Sequence, residues 1–298
     1  MKAMILAAGF GTRLRPLTDN RPKALMPVAN TPVLGRNIEY LKTHGVTRIV
    51  VNAHHHHDQV LEYLDQGRPF GLEIEVRVEQ EILGTGGGIQ NTVDFWDREP
   101  FVVLNSDILT DIDLGRAYAS HQDSGALATM VLHDYMPFNQ VSVDTDGNVV
   151  DIANSPLSGG LAFTGIHIIN PDLLPLLPEG FSDIIACYRQ VMDGGEGIKG
   201  YTAQGHHWRD IGTLESYIAA NQELSFQPFM VASNCRIESS AKLMEWGVVG
   251  ENARIGEGAE IRRSILWDGV RIGKGTKVVS SIVTSNREVS RDLTGEVY

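Results

Sequence analysis

The chain has 298 residues, 42% of them hydrophobic, and 25 basic against 37 acidic side chains give a formal charge of −12. This length suits one large α/β domain or a domain with an appendage, and the acidic balance excludes a sequence-independent grip on nucleic acid or on an anionic membrane. Cys187 and Cys235 are the only cysteines, without C-x-x-C or Cys/His ligand spacing, so neither a disulfide framework nor a structural zinc is expected. The apolar run at the N-terminus is too short for a signal peptide and nothing approaches a membrane span, which predicts a cytoplasmic protein.

The first element is KAMILAA, a continuous apolar run predicting a strand covered on both faces, with a ligand at its carboxyl end. GFGTRLRPLTDNRPKALMPV follows. Gly9 and Gly11 let the backbone come close to a ligand, while Arg13, Arg15, Arg21 and Lys23 supply positive charge, together an anion grip. A dinucleotide loop would need glycine at Leu14, and no GxxxxGK[ST] occurs, so the loop is neither Rossmann nor Walker.

Strands are predicted at 48–53, 72–78, 100–107 and 126–134, and helices at 33–45 and 58–67, with Gly45 and Gly67 as C-terminal caps. Their alternation predicts an α/β fold with a doubly wound, mainly parallel sheet. His54 to His57 splay to different sides of a strand or helix start, so they are expected to be loop residues and not one metal site. LGTGGGI (83–89) carries no charge and reads as a loop whose backbone could approach a flat base. Asp107 ends the strand FVVLNSD, so its carboxylate belongs at the sheet's carboxyl edge. Residues 141–152 read as a hairpin about Asp146-Gly147, and 213–226 as a helix.

Beyond that the pattern changes. Ile237, Leu243, Val249, Ile255 and Ile261 recur every sixth residue, and after a one-residue slip Leu266, Ile272 and Val278 resume the period. Such hexapeptides, with small residues between, predict a short β-helix. The expected domains are therefore 1–227 and 228–298. Such repeats resemble those of many acyltransferases, a resemblance that implies a histidine base within them; the last histidine is His207, so the tail is expected to be structural or an oligomer contact.

From Gly9 to Pro32 the chain reads GxGTRLxPLTxxxPKALxPVxxxP, which resembles the signature of the sugar-1-phosphate nucleotidyltransferases, the NDP-sugar pyrophosphorylases. LGTGGGI, NSD (105–107) and WRDIGT (208–213) follow in the family's order, and the hexapeptide tail resembles that of several members. The resemblance implies transfer of a nucleotidyl group from an NTP to a sugar-1-phosphate with release of pyrophosphate. It implies that Ala8, Gly9, Gly11, Thr12 and Arg13 wrap the triphosphate and that Lys23 reaches the α-phosphate or the sugar phosphate. It also implies that Asp107 and Asp210 hold Mg²⁺. Gly86 and Gly87 would lie near the base, with Gln80 or Glu81 reading its edge, and Gly165 and Ile166 would meet the sugar.

Two departures stand near the sugar segment: DIANSP (151–156) replaces the usual Glu-Lys-Pro, and Asn139 replaces a glycine, either to hydrogen-bond the sugar or to form the turn. LGTGGGI resembles the corresponding segment of GDP-mannose or GDP-heptose forming members and also that of the muramic acid phosphate uridylyltransferases; the tail tilts the expectation to mannose-1-phosphate or heptose-1-phosphate and GTP. A uridylyltransferase of an amino-sugar or hexose 1-phosphate is the alternative. A non-catalytic NDP-sugar-binding subunit is the rival from another class, set against by the presence of Arg13, Lys23, Asp107 and Asp210.

Overall fold

The computed structural model describes residues 1–298. Before residue 211, besides the short antiparallel pair Pro27–Val28 and Thr31–Pro32, its strands are β1 (Lys2–Leu6), β2 (Arg48–Ala53), β3 (Glu73–Val78), β4 (Phe101–Asn105), β5 (Ile108–Thr110), β6 (Ala128–His133), β7 (Asn139–Val143), β8 (Val149–Ile152), β9 (Leu161–Ile169), β10 (Ile198–Thr202) and β11 (Trp208–Asp210). Between them run the helices α1 (Val33–Thr43), α2 (His57–Leu64), α3 (Gly84–Gln90), α4 (Leu114–Ser124) and α5 (Ile184–Asp193), with α6 (Leu214–Glu223) after β11.

The central sheet has nine strands, in the order β8-β7-β9-β4-β1-β2-β3, with β6 joined to β9 and β10 to β6. β4, β1, β2 and β3 run parallel, which brings their carboxyl ends to one edge. β9 lies antiparallel to β4 and to β6, completing an α/β sheet of mainly parallel core. The continuous apolar runs predicted from the sequence are its interior strands: Met4, Val50, Phe101, Val103 and Met130 share one buried cluster. Each such side chain contributes roughly 1.5–3 kcal/mol by leaving water. The expected hairpin is β7-β8, turning through Gly147 at φ +79°.

Two local expectations are corrected. α2 stops at Leu64, where Asp65 takes the left-handed conformation (φ +41°), so Gly67 is not its cap. Gly67 is needed for a different reason, because a Cβ there would come 2.0 Å from the Leu72 carbonyl oxygen. LGTGGGI is also not a loop: Gly84–Gln90 is α3.

Residues 228–298 are strands in parallel sheets, one of six strands and one of four. Their ladders pair every third apolar position of the repeat: Ile237 with Ile255 and then Ile272, Leu243 with Ile261 and then Val278, and Val249 with Leu266. The one-residue slip is absorbed by a bulge, since Met244 faces Arg262 but Gly247 faces Ser264. Asn234, Asn252 and Asn286 turn their corners at φ near +60°, a conformation that asparagine tolerates better than most residues.

The chain divides into two compact units that do not follow its linear order. One contains residues 1–10, 22–24 and 34–210; the other contains 11–21, 25–33 and 211–298.

Candidate active site

β1 ends at Leu6 and the chain turns out of the sheet through two buried alanines, Ala7 and Ala8, into exposed Gly9. The turn is pinned by Asn52 at the end of β2, whose Oδ1 accepts the Ala7 amide at 2.7 Å. Asn52 donates in turn from Nδ2 to Glu79 Oε1 (2.7 Å), and Glu79 Oε2 accepts the Leu83 amide at 3.0 Å. Asn52 and Glu79 are buried, so this network rigidly joins the start of the glycine loop to the entry of α3. Sequence reading did not single out either residue. The available signal was a polar residue closing each apolar run, RIVVNA and EVRVE.

α3 is a helix of close approach. A Cβ on Gly87 would sit 2.0 Å from the Gly180 carbonyl oxygen, one on Gly86 2.6 Å from Ser182 Oγ, and one on Gly88 2.8 Å from Asn52 Nδ2. The run is glycine because neighbours occupy the space of every side chain, and that packing offsets the poor helix propensity of glycine. Gln80 and Glu81, the expected base readers, lie in the exposed turn before α3.

Gly11 takes the left-handed conformation (φ +63°) and opens a short 3₁₀ turn, Thr12–Leu14, which carries exposed Thr12 and Arg13. The Gly11 carbonyl accepts both the Leu14 amide (2.9 Å) and Thr18 Oγ1 (2.9 Å), and Leu14 and Leu17 bury their side chains beneath. The polar face of the loop therefore stays outward while its apolar residues anchor it.

Lys23 donates through Nζ to Asp107 Oδ2 in a short charge-assisted contact, and both side chains are largely buried. Asp107 follows β4 at the carboxyl edge of the parallel strands, as expected. Asp210 closes β11, which pairs antiparallel with β5 so that Asp210 stands opposite Ile108, the residue after Asp107. Asp210 thus pairs with the residue that follows Asp107, although 102 residues of chain lie between the two acids in sequence.

Gly165 sits in β9 at φ +78°, where its pairing with β6 is interrupted, and a Cβ there would come 2.6 Å from Asn105 Nδ2. Ile166, next to it, is buried and pairs with Leu104. Trp208 of WRDIGT donates its indole N–H to the Thr164 carbonyl at 2.9 Å. Asn139 is buried with both ends of its amide engaged in its own loop: Oδ1 accepts the Tyr135 amide and Nδ2 donates to Asp134, each at 2.8 Å. That geometry is the turn-forming alternative. In the histidine run, His54 turns to the Glu79 carbonyl (2.8 Å) and His57 back to that of His54 (3.0 Å), so these two rings serve local backbone.

With this geometry in place, comparison with known proteins identifies the chain. The family model described as nucleotidyl transferase matches residues 2–226, and one described as the GMPPB C-terminal domain matches 225–294. The chain is 35% identical to an N-acetylmuramate alpha-1-phosphate uridylyltransferase of Neisseria meningitidis, over 72% of this chain and 94% of that one. It is 28% identical to a mannose-1-phosphate guanylyltransferase of Mycobacterium tuberculosis (92% and 81%) and 28% identical to a UTP–glucose-1-phosphate uridylyltransferase of Synechocystis (95% and 87%). The crystal structure of HddC from Yersinia pseudotuberculosis complexed with GMP-PN has the same fold, at a TM-score of 0.66 and 24% identity over 74% of this chain and 98% of that one. The chain belongs to the sugar-1-phosphate nucleotidyltransferase family, and no helix in it is long and apolar enough to cross a membrane.

Proposed function

We propose that the chain makes a GDP-sugar from GTP and mannose-1-phosphate or heptose-1-phosphate, releasing pyrophosphate. The observation that carries the reaction is the Lys23–Asp107 pair, held at the carboxyl edge of the parallel strands, with Asp210 paired to the next residue, Ile108. The match of residues 225–294 to the GMPPB C-terminal domain supports guanosine. The 35% identity to the muramate uridylyltransferase supports the second reading, transfer from UTP to an amino-sugar or hexose 1-phosphate.

In this reading a phosphate oxygen of the sugar-1-phosphate attacks the α-phosphorus, a new P–O bond forms, and the α–β P–O bond breaks with its electrons leaving on pyrophosphate. No protein nucleophile is required; the chain must align two polyanions and offset their charge. Ala8 to Thr12 present backbone N–H groups to the triphosphate, and Arg13 binds the leaving pyrophosphate. Lys23 binds the α-phosphate or the sugar phosphate and stabilises the charge that develops in transfer. Gly86 and Gly87 face the base, Gln80 or Glu81 reads its edge, and the Gly165-Ile166 backbone meets the sugar.

Asp107 and Asp210 fit Mg²⁺ because both are hard oxygen donors, and Asp107 has a second oxygen beyond the one that Lys23 contacts. Bound there, Mg²⁺ would act as a Lewis acid that offsets phosphate charge. Residues 1–227 carry the chemistry, 228–298 form a short hexapeptide β-helix that also serves self-association, and the enzyme works in the cytoplasm on behalf of envelope polysaccharide synthesis.

Pyrophosphate release measured with Mg²⁺ tests the reading, using GTP, UTP, dTTP, ATP and CTP against mannose-, heptose-, glucose- and N-acetylmuramic acid 1-phosphates. Release from GTP with mannose- or heptose-1-phosphate, lost in Asp107→Asn, is the expected result. Turnover with UTP alone moves the assignment to the second reading, and binding of an NDP-sugar without turnover of any pair makes the protein a regulatory subunit.

A further inference from the structure

Arg21 lies in the signature segment among residues that bear phosphate-binding charge, yet its guanidinium is directed to the C-terminal strands. It stacks 4.8 Å from the ring centre of Trp267 and donates to Ser285 Oγ at 3.0 Å. Trp267 is buried, and its indole N–H donates to the Tyr217 hydroxyl on α6 at 2.9 Å. Tyr217 in turn donates to the Pro27 carbonyl at 2.6 Å. Burial pushes the Tyr217 phenol well above its ordinary pKa, so it stays a protonated donor in this chain of contacts. A neighbouring contact adds to the hold: Asn221 Oδ1, on the same helix, accepts the Ala29 amide at 2.9 Å.

One indole is thus tied to the signature on both sides of Lys23, at Arg21 through its face and at Pro27 through its N–H and Tyr217. The partition of the chain agrees, since 11–21 and 25–33 cluster with 211–298. A cation over a buried indole also loses little to solvent, unlike an exposed ion pair.

We propose that Trp267 is a positioning residue for nucleotidyl transfer: through Arg21 and the Tyr217–Pro27 contact it holds the signature segments 11–21 and 25–27, the first of them the triphosphate grip, in their working shape. The inference rests on the reading of that first segment as the triphosphate grip. It gives the C-terminal strands a task in catalysis beyond self-association and assigns Arg21 to bracing and not to phosphate.

The test compares full-length wild type with Trp267→Leu, Trp267→Phe, Arg21→Ala and the Arg21→Ala/Trp267→Leu double variant. In wild type the amides of Leu14, Arg15, Leu17 and Asp19 are hydrogen-bonded within the loop and should exchange slowly with deuterium. Trp267→Leu and Arg21→Ala are expected to speed exchange in 11–21 about tenfold while β1 and β2 remain protected. KM for the NTP should rise about tenfold with kcat and the sugar-phosphate KM within about threefold, and the double variant should be no worse than the worse single. Trp267→Phe keeps a stacking face and should recover most of the loss.

Unchanged exchange at 11–21 in a folded Trp267→Leu or Arg21→Ala, or additive effects in the double variant, would overturn the proposal. Should Trp267→Leu fail to fold, Arg21→Ala and Trp267→Phe decide by the same exchange measurement. Because exchange needs no turnover, loss of bracing would be seen even if every nucleotide and sugar pair were inactive, which separates this inference from the proposed function.

Discussion

Lys23 has a single carboxylate contact, and that contact ties a signature lysine to the edge where β4 ends. Lys23→Ala removes the cation from the transferring phosphate and leaves Asp107 without its partner in a largely buried place. We expect kcat/KM to fall by roughly 10²–10³, the scale of one lost transition-state donor, with the thermal midpoint lowered only modestly. A steady-state titration of both substrates beside a melting curve checks this. Gly165→Ala is expected to act differently, because the new Cβ must displace Asn105 and adopt a positive φ. It should cost stability on the order of 1–3 kcal/mol and raise the KM for the sugar phosphate more than that for the NTP. At this scale the sequence was legible wherever chemistry and chain neighbourhood coincide: Gly9, Arg13 and Lys23 sit in one continuous motif. Asn52 and Glu79 were not legible, because each is an ordinary polar residue at a strand end until the parallel sheet sets it beside the other. For Arg21 the complementary reason holds: its charge is visible in the sequence, but the aromatic ring on which it stacks is 246 residues away.

Among the elements, α3 departs furthest from what local propensity indicates. A stretch of glycines reads as a loop because glycine loses the most backbone freedom on entering a helix. Here Gly180 and Ser182 leave room for nothing larger, and the Gly86 amide is held by the Ser182 carbonyl at 2.9 Å. Gly87→Ala is therefore expected to lower stability even though alanine is the better helix former, whereas an alanine at exposed Gly197, where nothing lies within 4 Å, should be tolerated. Thermal melts of the two variants side by side test the contrast. The core strands could be read directly because burial on both faces leaves an unbroken apolar run. α4 and α5 escaped notice, although each is announced by an aspartate: Asp113 accepts the Arg116 amide and Asp183 those of Ile185 and Ala186. Such caps are visible in a sequence only when the helix behind them is already suspected.

Over the whole molecule, two buried histidines contribute to how stability responds to acid. Burial lowers His121 to a pKa of about 4 and His167 to about 3, from an ordinary 6.5. Below pH 6.5 the unfolded chain takes up protons that the folded chain refuses. Stability should hence be flat with respect to these groups above about pH 7 and fall as the pH drops from 6.5 to 4, by up to ~1.4 kcal/mol per unit for each histidine. His121→Gln, less stable at neutral pH for losing its contact to Thr129, should show a shallower decline over that window in melts at successive pH values. The period of the C-terminal region was legible because a parallel ladder repeats the same demand on every third apolar position. The clustering of segments 11–21 and 25–33 with residues 211–298 was not, because those segments are far from them in sequence.

The backbone passes from one compact unit to the other five times, and four of those passages fall between Phe10 and Leu34. The proposed brace would constrain inheritance of the two halves accordingly. A lineage that exchanged its C-terminal region for a relative's would import a new surface at Trp267 and Ser285 while keeping the old Arg21, Pro27 and Ala29. Such a recombinant would descend with a mismatched signature even though no letter of that signature had changed. Chimeras built at residue 227 should then regain activity through second-site changes at 21 or 267, a pairing that selection for growth or turnover would bring to light.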